Sequence, residues 1–410
     1  SSFHRLFHSV FKNFLFTLLK SKYTLYFQIN YTIFPVKYQE SPTKEAINHL
    51  AHTTIFQYNN PTKYKTARQT FKNCIKNILS QGGHPNMNKW TRVKFQPNLP
   101  LKESGRVTAS KEHIQLSKEA AKEGMVLLKN ENHLLPLAEG TRIALFGKGS
   151  FDYVKGGGGS GDVMVSYVHN LYDGLKMQKN AVQIYEPLSA FYKADIQHQY
   201  EKGAVPGMTV EPELTAELAD GAKAFADVAL VVISRFSGEG WDRSSVECNN
   251  EFNPWDNETT MPKISAEVFP DGDFYLTARE KAMLAMVKER FKNIAVVLNI
   301  GGVIDLSWIK NDDQIGAALL GWQGGMEGGL AMAELLTGKG NPSGKLVDTF
   351  AASADDYPST ANFHESFDYV NYTEDIYVGY RYFETIPGAQ EKVVYPFGYG
   401  LSYTTFTLDT

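Results

Sequence analysis

The sequence has 410 residues, of which 43% are hydrophobic and 21% are charged, an ordinary globular composition that is long enough for two or three domains. Its net charge of −4 indicates neither nucleic acid nor an anionic membrane as a partner. Two cysteines, Cys74 and Cys248, exclude a disulfide framework, and no Cys or His has the spacing of a metal site, so we expect neither metal nor cofactor.

The first 86 residues differ sharply from the rest of the chain. They contain nine Lys, two Arg, two Glu and no Asp, so they carry a net charge of +9 and leave −13 for the remainder. Their residue bias is typical of translated AT-rich DNA, and Gln81-Gly82-Gly83 can be encoded by a purine-rich sequence like a ribosome-binding site. We therefore predict that residues 1–86 are not part of the working protein and that translation begins at Met87. The alternative is a basic, amphipathic membrane-surface segment.

The predicted elements begin with an amphipathic helix over His113–Lys129. Thr141–Gly147 is a buried strand, and it leads into a flexible glycine-rich loop, Lys155–Asp162. Two phosphate-binding motifs fail at this point. A dinucleotide-binding fingerprint would need a third glycine at position 152, which is Asp. A P-loop would need Lys and then Ser or Thr after its last glycine, but the chain has Asp162-Val163 there. Nucleotide binding is therefore disfavoured.

Helices and strands alternate through the rest of the chain. Helices are predicted over Asn170–Met177, Leu188–Tyr200, Leu214–Phe225, Thr277–Phe291 and Leu330–Leu336, and strands over Val182–Tyr185, Val228–Ser234, Asn293–Ile300 and Ile315–Gly321. Thr277 and Glu280 predict a capping box at one helix start. Residues 244–270 are expected to form a polar surface loop, and the tail segments 377–383 and 393–406 are expected to be extended. This alternation predicts an open parallel sheet with helices on both faces.

A carboxyl group follows the most apolar of these strands. Val228–Ser234 is continued by Ser237-Gly238-Glu239-Gly240-Trp241-Asp242-Arg243. Open α/β sheets bind their ligands at the carboxyl ends of such strands, and the glycines allow a sharp turn and a close approach to a ligand. Glu239 is therefore a candidate site residue. The alternative from pattern alone is a solvated residue of an ordinary turn.

Several stretches of the chain resemble glycoside hydrolase family 3, the family of many β-glucosidases. They are Glu123–Asn130, Lys155–Asp162, Ser237–Arg243, Gly321–Gly329, Asn341–Leu346 and Pro396–Tyr403. The resemblance covers about residues 107–406 and implies the family's α/β-sandwich domain. The fold class that we expect is α/β: a three-layer αβα sandwich with a mostly parallel, flavodoxin-like open sheet, preceded by an irregular N-terminal extension. The predicted domains are the extension 1–86, an arm 87–112 and the sandwich 113–406.

The order of the segments is similar to that of the circularly permuted branch of the family, in which a (β/α)8 barrel lies downstream of the sandwich. The barrel, its Asp nucleophile in a Ser-Asp-Trp-type motif and a fibronectin-like domain have no counterpart in these 410 residues. The resemblance thus implies half of an active site, whose partners are the missing barrel and fibronectin-like domain. The implied substrate is a β-glucoside or an oligosaccharide.

The family is retaining, so the resemblance implies two carboxyl groups roughly 5–5.5 Å apart and makes Glu239 the acid/base. Such a group needs a pKa raised from about 4.3 towards 6 or above, which an adjacent carboxylate and desolvation would provide. Because this chain lacks the second carboxylate, we expect Glu239 in the isolated chain to titrate near its ordinary pKa.

The remaining candidate site residues have competing interpretations. Asp242 and Arg243 either bind sugar hydroxyls or form an ion pair that braces the turn. Trp241 either stacks on a sugar ring or packs in the core. Lys155 and Ser160, in the glycine-rich loop, either contact the sugar together with backbone amides or belong to a mobile surface loop.

Two classes of function are thus kept open. The first is the sandwich portion of a retaining β-glucosidase-like hydrolase, probed most directly by sequencing the DNA on both sides of this reading frame. The second is a non-catalytic α/β carbohydrate-binding or interaction module. The low cysteine content and the absence of a recognisable signal peptide at Met87 lead us to expect a cytoplasmic protein.

Overall fold

The computed structural model describes residues 109–239, 261–362, 366, 368–405 and 407, together with four short strands that precede them. The chain separates into two compact units, Ser1–Pro100 and Leu101–Thr410. In the first unit, β1 (Leu25–Ile29) pairs antiparallel with β2 (Thr32–Val36). Met87, the proposed start of translation and of the arm, lies outside the described residues, and the domain boundaries remain predictions.

The second unit contains the alternating helices and strands. Its strands are β3 (Leu101–Lys102), β4 (Gly105–Arg106), β5 (Val126–Asn130), β6 (Thr141–Phe146), β7 (Val182–Ile184), β8 (Val228–Ser234), β9 (Ile294–Asn299), β10 (Ile315–Leu320), β11 (Phe350–Ala351) and β12 (Val393–Tyr395). Its described α-helices are α1 (Lys111–Gly124), α2 (Leu171–Met177), α3 (Glu186–Glu201), α4 (Ala216–Phe225), α5 (Met261–Val268), α6 (Ala278–Arg290), α7 (Ser307–Lys310), α8 (Gly328–Leu336) and α9 (Tyr380–Thr385).

The main sheet has six strands in the order β5-β10-β9-β8-β6-β7. All neighbouring pairs are parallel except β10 with β5, which is antiparallel at the edge. β8 lies inside the sheet between β6 and β9, and each of its residues is buried. A continuous apolar run is what a strand covered on both faces requires.

The period-2 alternation of side chains divides the core into one half on each face of the sheet. Ala229, Val231 and Ile233 of β8 belong to a cluster that includes side chains of α3, α4 and α6. The alternate residues Val228, Leu230 and Val232 belong to a second cluster, with side chains of α2 and α8. Helices therefore cover both faces, and the predicted mostly parallel αβα sandwich is confirmed.

Local signals in the sequence set several helix starts. The Asn170 side chain accepts from the Asp173 N–H and begins α2, and Thr277 with Glu280 forms the predicted capping box of α6. Each bond satisfies an amide that the first helical turn leaves unpaired. Capping thus fixes where these two helices begin, in agreement with the sequence prediction.

Three predicted elements were wrong. The first helix ends at Gly124, and Val126–Asn130 is instead the edge strand β5, because its buried apolar residues pair with β10. Met261–Val268 is helical within the predicted surface loop, and Tyr380–Thr385 is helical within the predicted extended tail. In the first case a short buried run could not be told from a helix by periodicity.

Candidate active site

The candidate site lies at the carboxyl edge of the parallel strands, where open α/β sheets bind ligands. β8 ends at Ser234 and leads to Gly238 and Glu239, while the glycine-rich loop after β6 returns to the same edge. Gly158 and Gly238 form an isolated parallel bridge. The Gly158 N–H donates to the Ser237 carbonyl at 2.9 Å, and the Glu239 N–H donates to the Gly158 carbonyl at 3.2 Å. Two segments that are far apart in sequence thus meet around Glu239.

The close approach of the two segments requires glycine at position 159. Gly159 has a φ of +73°, and a Cβ built there would lie 2.5 Å from the Cβ of Glu239. A side chain would therefore push Glu239 away from the loop as well as strain the backbone. The sequence pattern predicted a close approach to a ligand; the structure shows a close approach to the candidate catalytic side chain.

Glu239 is exposed, and its carboxylate is held by the glycine-rich loop. The Ser160 N–H donates to Glu239 Oε2 at 2.7 Å. Hydrogen bonding from the Ser160 side chain and then from its backbone stabilises the ionised form and holds the pKa of Glu239 below its ordinary value. The expectation of an ordinary pKa was therefore wrong, because the loop supplies donors that the sequence pattern did not reveal.

Lys155 and Ser160 lie in the same loop as predicted, and both have structural partners. Lys155 Nζ forms an ion pair with Asp162, whose side chain is 62% exposed. The Lys155 carbonyl accepts from the Gly325 N–H at 2.8 Å. The loop that bears Ser160 is thereby connected to the segment after β10. Trp241, Asp242 and Arg243 lie outside the described residues, so their roles remain predictions.

A buried arginine, which the sequence analysis missed, anchors the start of the segment that leads to Glu239. Arg235 is 2% exposed, and its guanidinium donates to both carboxylate oxygens of Glu280 at 2.8 and 2.9 Å. It also donates to the carbonyls of Asp273 and Tyr275. Burial acts to raise the pKa of Glu280, but the Arg235 charge and hydrogen bonds outweigh it and hold that pKa below its ordinary range. No clear signal in the sequence indicates this pair, because Arg is mostly exposed in proteins and its partner Glu280 lies 45 residues away.

A second buried polar group lies after β6. The Lys148 N–H donates to Glu211 Oε2 at 2.8 Å, and the Tyr192 hydroxyl donates to Glu211 Oε1 at 2.9 Å. Lys148 Nζ donates to the Thr209 carbonyl and lies 3.8 Å from Asp152 Oδ2. Burial raises the pKa of Glu211 to about 7 and lowers the pKa of Lys148. These contacts fix the chain around residues 205–211 against the carboxyl end of β6.

The side chain of Asn299, the last residue of β9, connects two of the loops at this edge. Its Nδ2 donates to the carbonyls of Val154 and Trp322 at 2.9 and 2.7 Å, and its Oδ1 accepts from the Val154 N–H at 2.7 Å. Because these hydrogen bonds are buried, they are costly to break. The amide therefore aligns the bases of the loops on either side of it.

Similarity to known proteins shows the family of this chain. Residues 125–403 match the glycosyl hydrolase family 3 C-terminal domain. The chain belongs to glycosyl hydrolase family 3. It is 59% identical over 324 residues to beta-glucosidase A of Butyrivibrio fibrisolvens, covering 79% of this chain and 39% of that protein. It is 36% identical over 305 residues to a beta-glucosidase of Ruminococcus albus, covering 72% of this chain and 29% of that protein.

Solved structures of family 3 proteins show the same fold. A beta-glucosidase from Paenibacillus barengoltzii superposes with a TM-score of 0.60 at 41% identity, covering 72% of this chain and 30% of that chain. Beta-glucosidase 3B from Thermotoga neapolitana, solved with glucose, superposes with a TM-score of 0.60 at 37% identity, covering 72% of this chain and 39% of that chain. The chain thus spans less than two fifths of the length of each of these relatives.

The most specific stretches of the family 3 resemblance cover the edge strand of the sheet. The Gly344 N–H donates to the Met125 carbonyl at 3.1 Å, and the Leu401 N–H donates to the Leu127 carbonyl at 2.8 Å. Gly344 approaches so closely that an added Cβ would lie 2.4 Å from the Met125 carbonyl oxygen. These bonds pair the carbonyl of Met125, just before β5, and that of Leu127 within β5. These motifs therefore serve the fold of the domain.

Among the residues that the structure describes, no group of three His, Cys, Asp or Glu side chains could hold a metal ion. In the same part of the chain, no helix has both the length and the apolar character needed to cross a membrane.

Proposed function

We propose that this chain is the sandwich portion of a retaining β-glucosidase-like hydrolase and that Glu239 is its acid/base. The observation that carries the proposal is the geometry of Glu239: an exposed carboxylate at the carboxyl edge of the sheet, held by a glycine-rich loop that permits no side chain at position 159. The family and the names of the relatives support a β-glucoside as the substrate class.

A retaining reaction needs a second carboxyl group roughly 5–5.5 Å from the first. Asp162, in the same loop, is paired with Lys155. We propose that the nucleophile comes from a barrel outside these 410 residues, since the relatives are more than twice as long as the matched region. The nucleophile attacks the anomeric carbon, and protonated Glu239 gives its proton to the departing glycosidic oxygen. Ionised Glu239 then takes a proton from the water that hydrolyses the glycosyl-enzyme.

The lowered pKa of Glu239 is consistent with an incomplete site. A carboxyl with a pKa below its ordinary value is ionised at neutral pH and has no proton to donate. We propose that the second carboxylate and the exclusion of water by the barrel raise this pKa when the site is complete. Lys155, Ser160, Trp241, Asp242 and Arg243 are proposed as substrate contacts, with Ser160 also orienting Glu239.

The first prediction is tested in a chimera in which the matched region of the Butyrivibrio beta-glucosidase A is replaced by that of this chain. We expect the chimera to hydrolyse aryl β-glucosides and Glu239→Gln to lower its kcat by about 100- to 10,000-fold, the usual contribution of general acid–base catalysis. Glu213→Gln, a change of an exposed carboxyl, is the matched control. If Glu239→Gln raises KM and leaves kcat unchanged, Glu239 binds sugar without catalysing, as a binding module would.

A further inference from the structure

Residues 155–169, a segment that contains the glycine-rich loop Lys155–Asp162, are held at both ends by residues 322–327, which follow β10. At the near end the Gly325 N–H donates to the Lys155 carbonyl at 2.8 Å. At the far end the His169 N–H donates to the Met326 carbonyl at 2.9 Å. The segment is itself fixed by Tyr153, whose hydroxyl accepts from the Gly324 N–H and donates to the Gly325 carbonyl. Both ends of segment 155–169 are therefore held by residues 322–327.

The side chain of Glu327 also fixes the end of this segment, at residues 167–169. Glu327 is 4% exposed, and its Oε1 accepts from the Tyr167 hydroxyl at 2.6 Å. Its Oε2 lies 2.8 Å from His169 Nδ1. Because a carboxylate only accepts hydrogen bonds, Nδ1 carries the proton in this pair. The Tyr167 and His169 rings lie 4.8 Å apart, so one buried carboxylate fixes two neighbouring aromatic side chains.

Between its two ends, segment 155–169 has few buried residues. None of residues 156–166 is buried, and Val163 and Met164 are 64% and 98% exposed. A segment with few buried contacts opens easily unless its ends and its hydrogen bonds restrain it. The bridge from Gly158 to Gly238 and the bond from Ser160 to Glu239 join the loop to the segment after β8, and the Lys155–Asp162 ion pair restrains it internally. The chain runs directly from residues 167–169 to Ser160, so the two regions are connected through residues 161–166.

We propose that Glu327 is a positioning residue for Glu239, which acts by fixing Tyr167 and His169 and thereby the glycine-rich loop that holds the Glu239 carboxylate. The chemical importance of this role rests on the proposed function of Glu239. The mechanical coupling does not rest on it, and it can be measured in this chain without any hydrolysis.

The test compares the whole 410-residue chain with three variants by NMR. The readouts are hydrogen exchange of the Ser160 amide and the titration of the Glu239 side-chain carboxyl. In Glu327→Gln, we expect the Ser160 amide to exchange about tenfold faster or more, the effect of weakening a charge-assisted hydrogen bond. The pKa of Glu239 should rise towards its ordinary value as the Ser160 donors are lost. Tyr167→Phe should give a smaller change in the same direction.

Two features keep the test decisive. Tyr167 is 39% exposed, so its loss of a hydroxyl leaves the fold intact even if the Glu327 variant unfolds. Tyr372→Phe, at a side chain that is 89% exposed, is the matched control and should change neither readout. The proposal is overturned if Tyr167→Phe and a folded Glu327→Gln leave Ser160 exchange and the Glu239 titration at their wild-type values, or if Tyr372→Phe changes them equally. Failure of Glu239→Gln to reduce hydrolysis in the chimera would instead contradict the proposed function alone.

Discussion

At the scale of single residues, the local environment gives different pKa values to two buried glutamates that have the same intrinsic chemistry. Glu280 faces the Arg235 guanidinium, and its pKa is held below the ordinary range. Glu211 accepts from the Lys148 backbone and the Tyr192 hydroxyl, and burial raises its pKa to about 7. Glu280 is in direct contact with the Arg235 guanidinium, whereas the Lys148 charge and the hydrogen bonds to Glu211 do not outweigh desolvation and the nearby Glu280 carboxylate. Neither assignment can be read from the sequence, since both partners come from distant elements.

The raised pKa of Glu211 predicts a stability that falls as pH rises. Between its ordinary value of 4.5 and about 7, the folded chain binds more protons than the unfolded chain. The free energy of unfolding therefore decreases through this window, by at most about 3 kcal/mol. Glu211→Gln, which mimics the protonated side chain, should remove this decrease in urea unfolding measured from pH 5 to 8.

The control for this experiment is Glu213→Gln, which changes an exposed carboxyl in the same segment. It should keep the wild-type dependence of the free energy of unfolding on pH, because Glu211 is unchanged in it. Equal pH dependences in the two variants would show that Glu211 does not titrate as the structure implies.

At the scale of elements, glycines set how closely helices α2 and α8 pack. A Cβ built on Gly174 would lie 2.4 Å from the Gly329 carbonyl oxygen, and one built on Gly329 would lie 2.3 Å from the Asn170 carbonyl oxygen. Both positions are in the helices that cover one face of the sheet. We infer that these residues are glycine because of packing and not because of a turn.

The Gly174→Ala variant distinguishes the effect of helix packing from that of helix propensity, because the two predict opposite changes in the free energy of unfolding. Helix propensity alone predicts that alanine stabilises α2 by up to about 1 kcal/mol. The overlap with α8 predicts a loss of about 1–3 kcal/mol or more, because backbone must move to admit the methyl group. Urea unfolding of the variant measures which effect is larger. Gly124→Ala, where nothing lies within 4 Å of the added atom, should be neutral or slightly stabilising.

The helices and strands also show which structural features can be predicted from sequence patterns. The strand Val228–Ser234 was predicted with its observed bounds, since seven successive buried residues leave little else for it to form. The Thr277 capping box was predicted from two residues at fixed spacing. β5 was predicted as helix, because its identity depends on pairing with β10, a contact that no local pattern contains. Local signals are thus recovered, and long-range pairing is not.

At the scale of the whole molecule, the candidate site is distributed over segments that the topology brings to one sheet edge. The sequence pattern and the family resemblance identified Glu239 and the loop Lys155–Asp162 as candidates. The contacts that connect them, from Ser160 to Glu239 and from Glu327 to His169, join residues far apart in sequence. These contacts can be predicted only once the order of the strands in the sheet is known. The chain spans 39% of the length of the Butyrivibrio relative.

The central claim, that Glu239 is the acid/base of a retaining reaction, is tested most directly by azide rescue of Glu239→Ala in the chimera. With a dinitrophenyl β-glucoside, the leaving group needs no acid, so the glycosyl-enzyme forms and then waits for a base that is missing. Azide needs no base. We predict that azide accelerates turnover and that the product is β-glucosyl azide, with configuration retained. Unchanged turnover, or glucose as the sole product, would contradict the assignment.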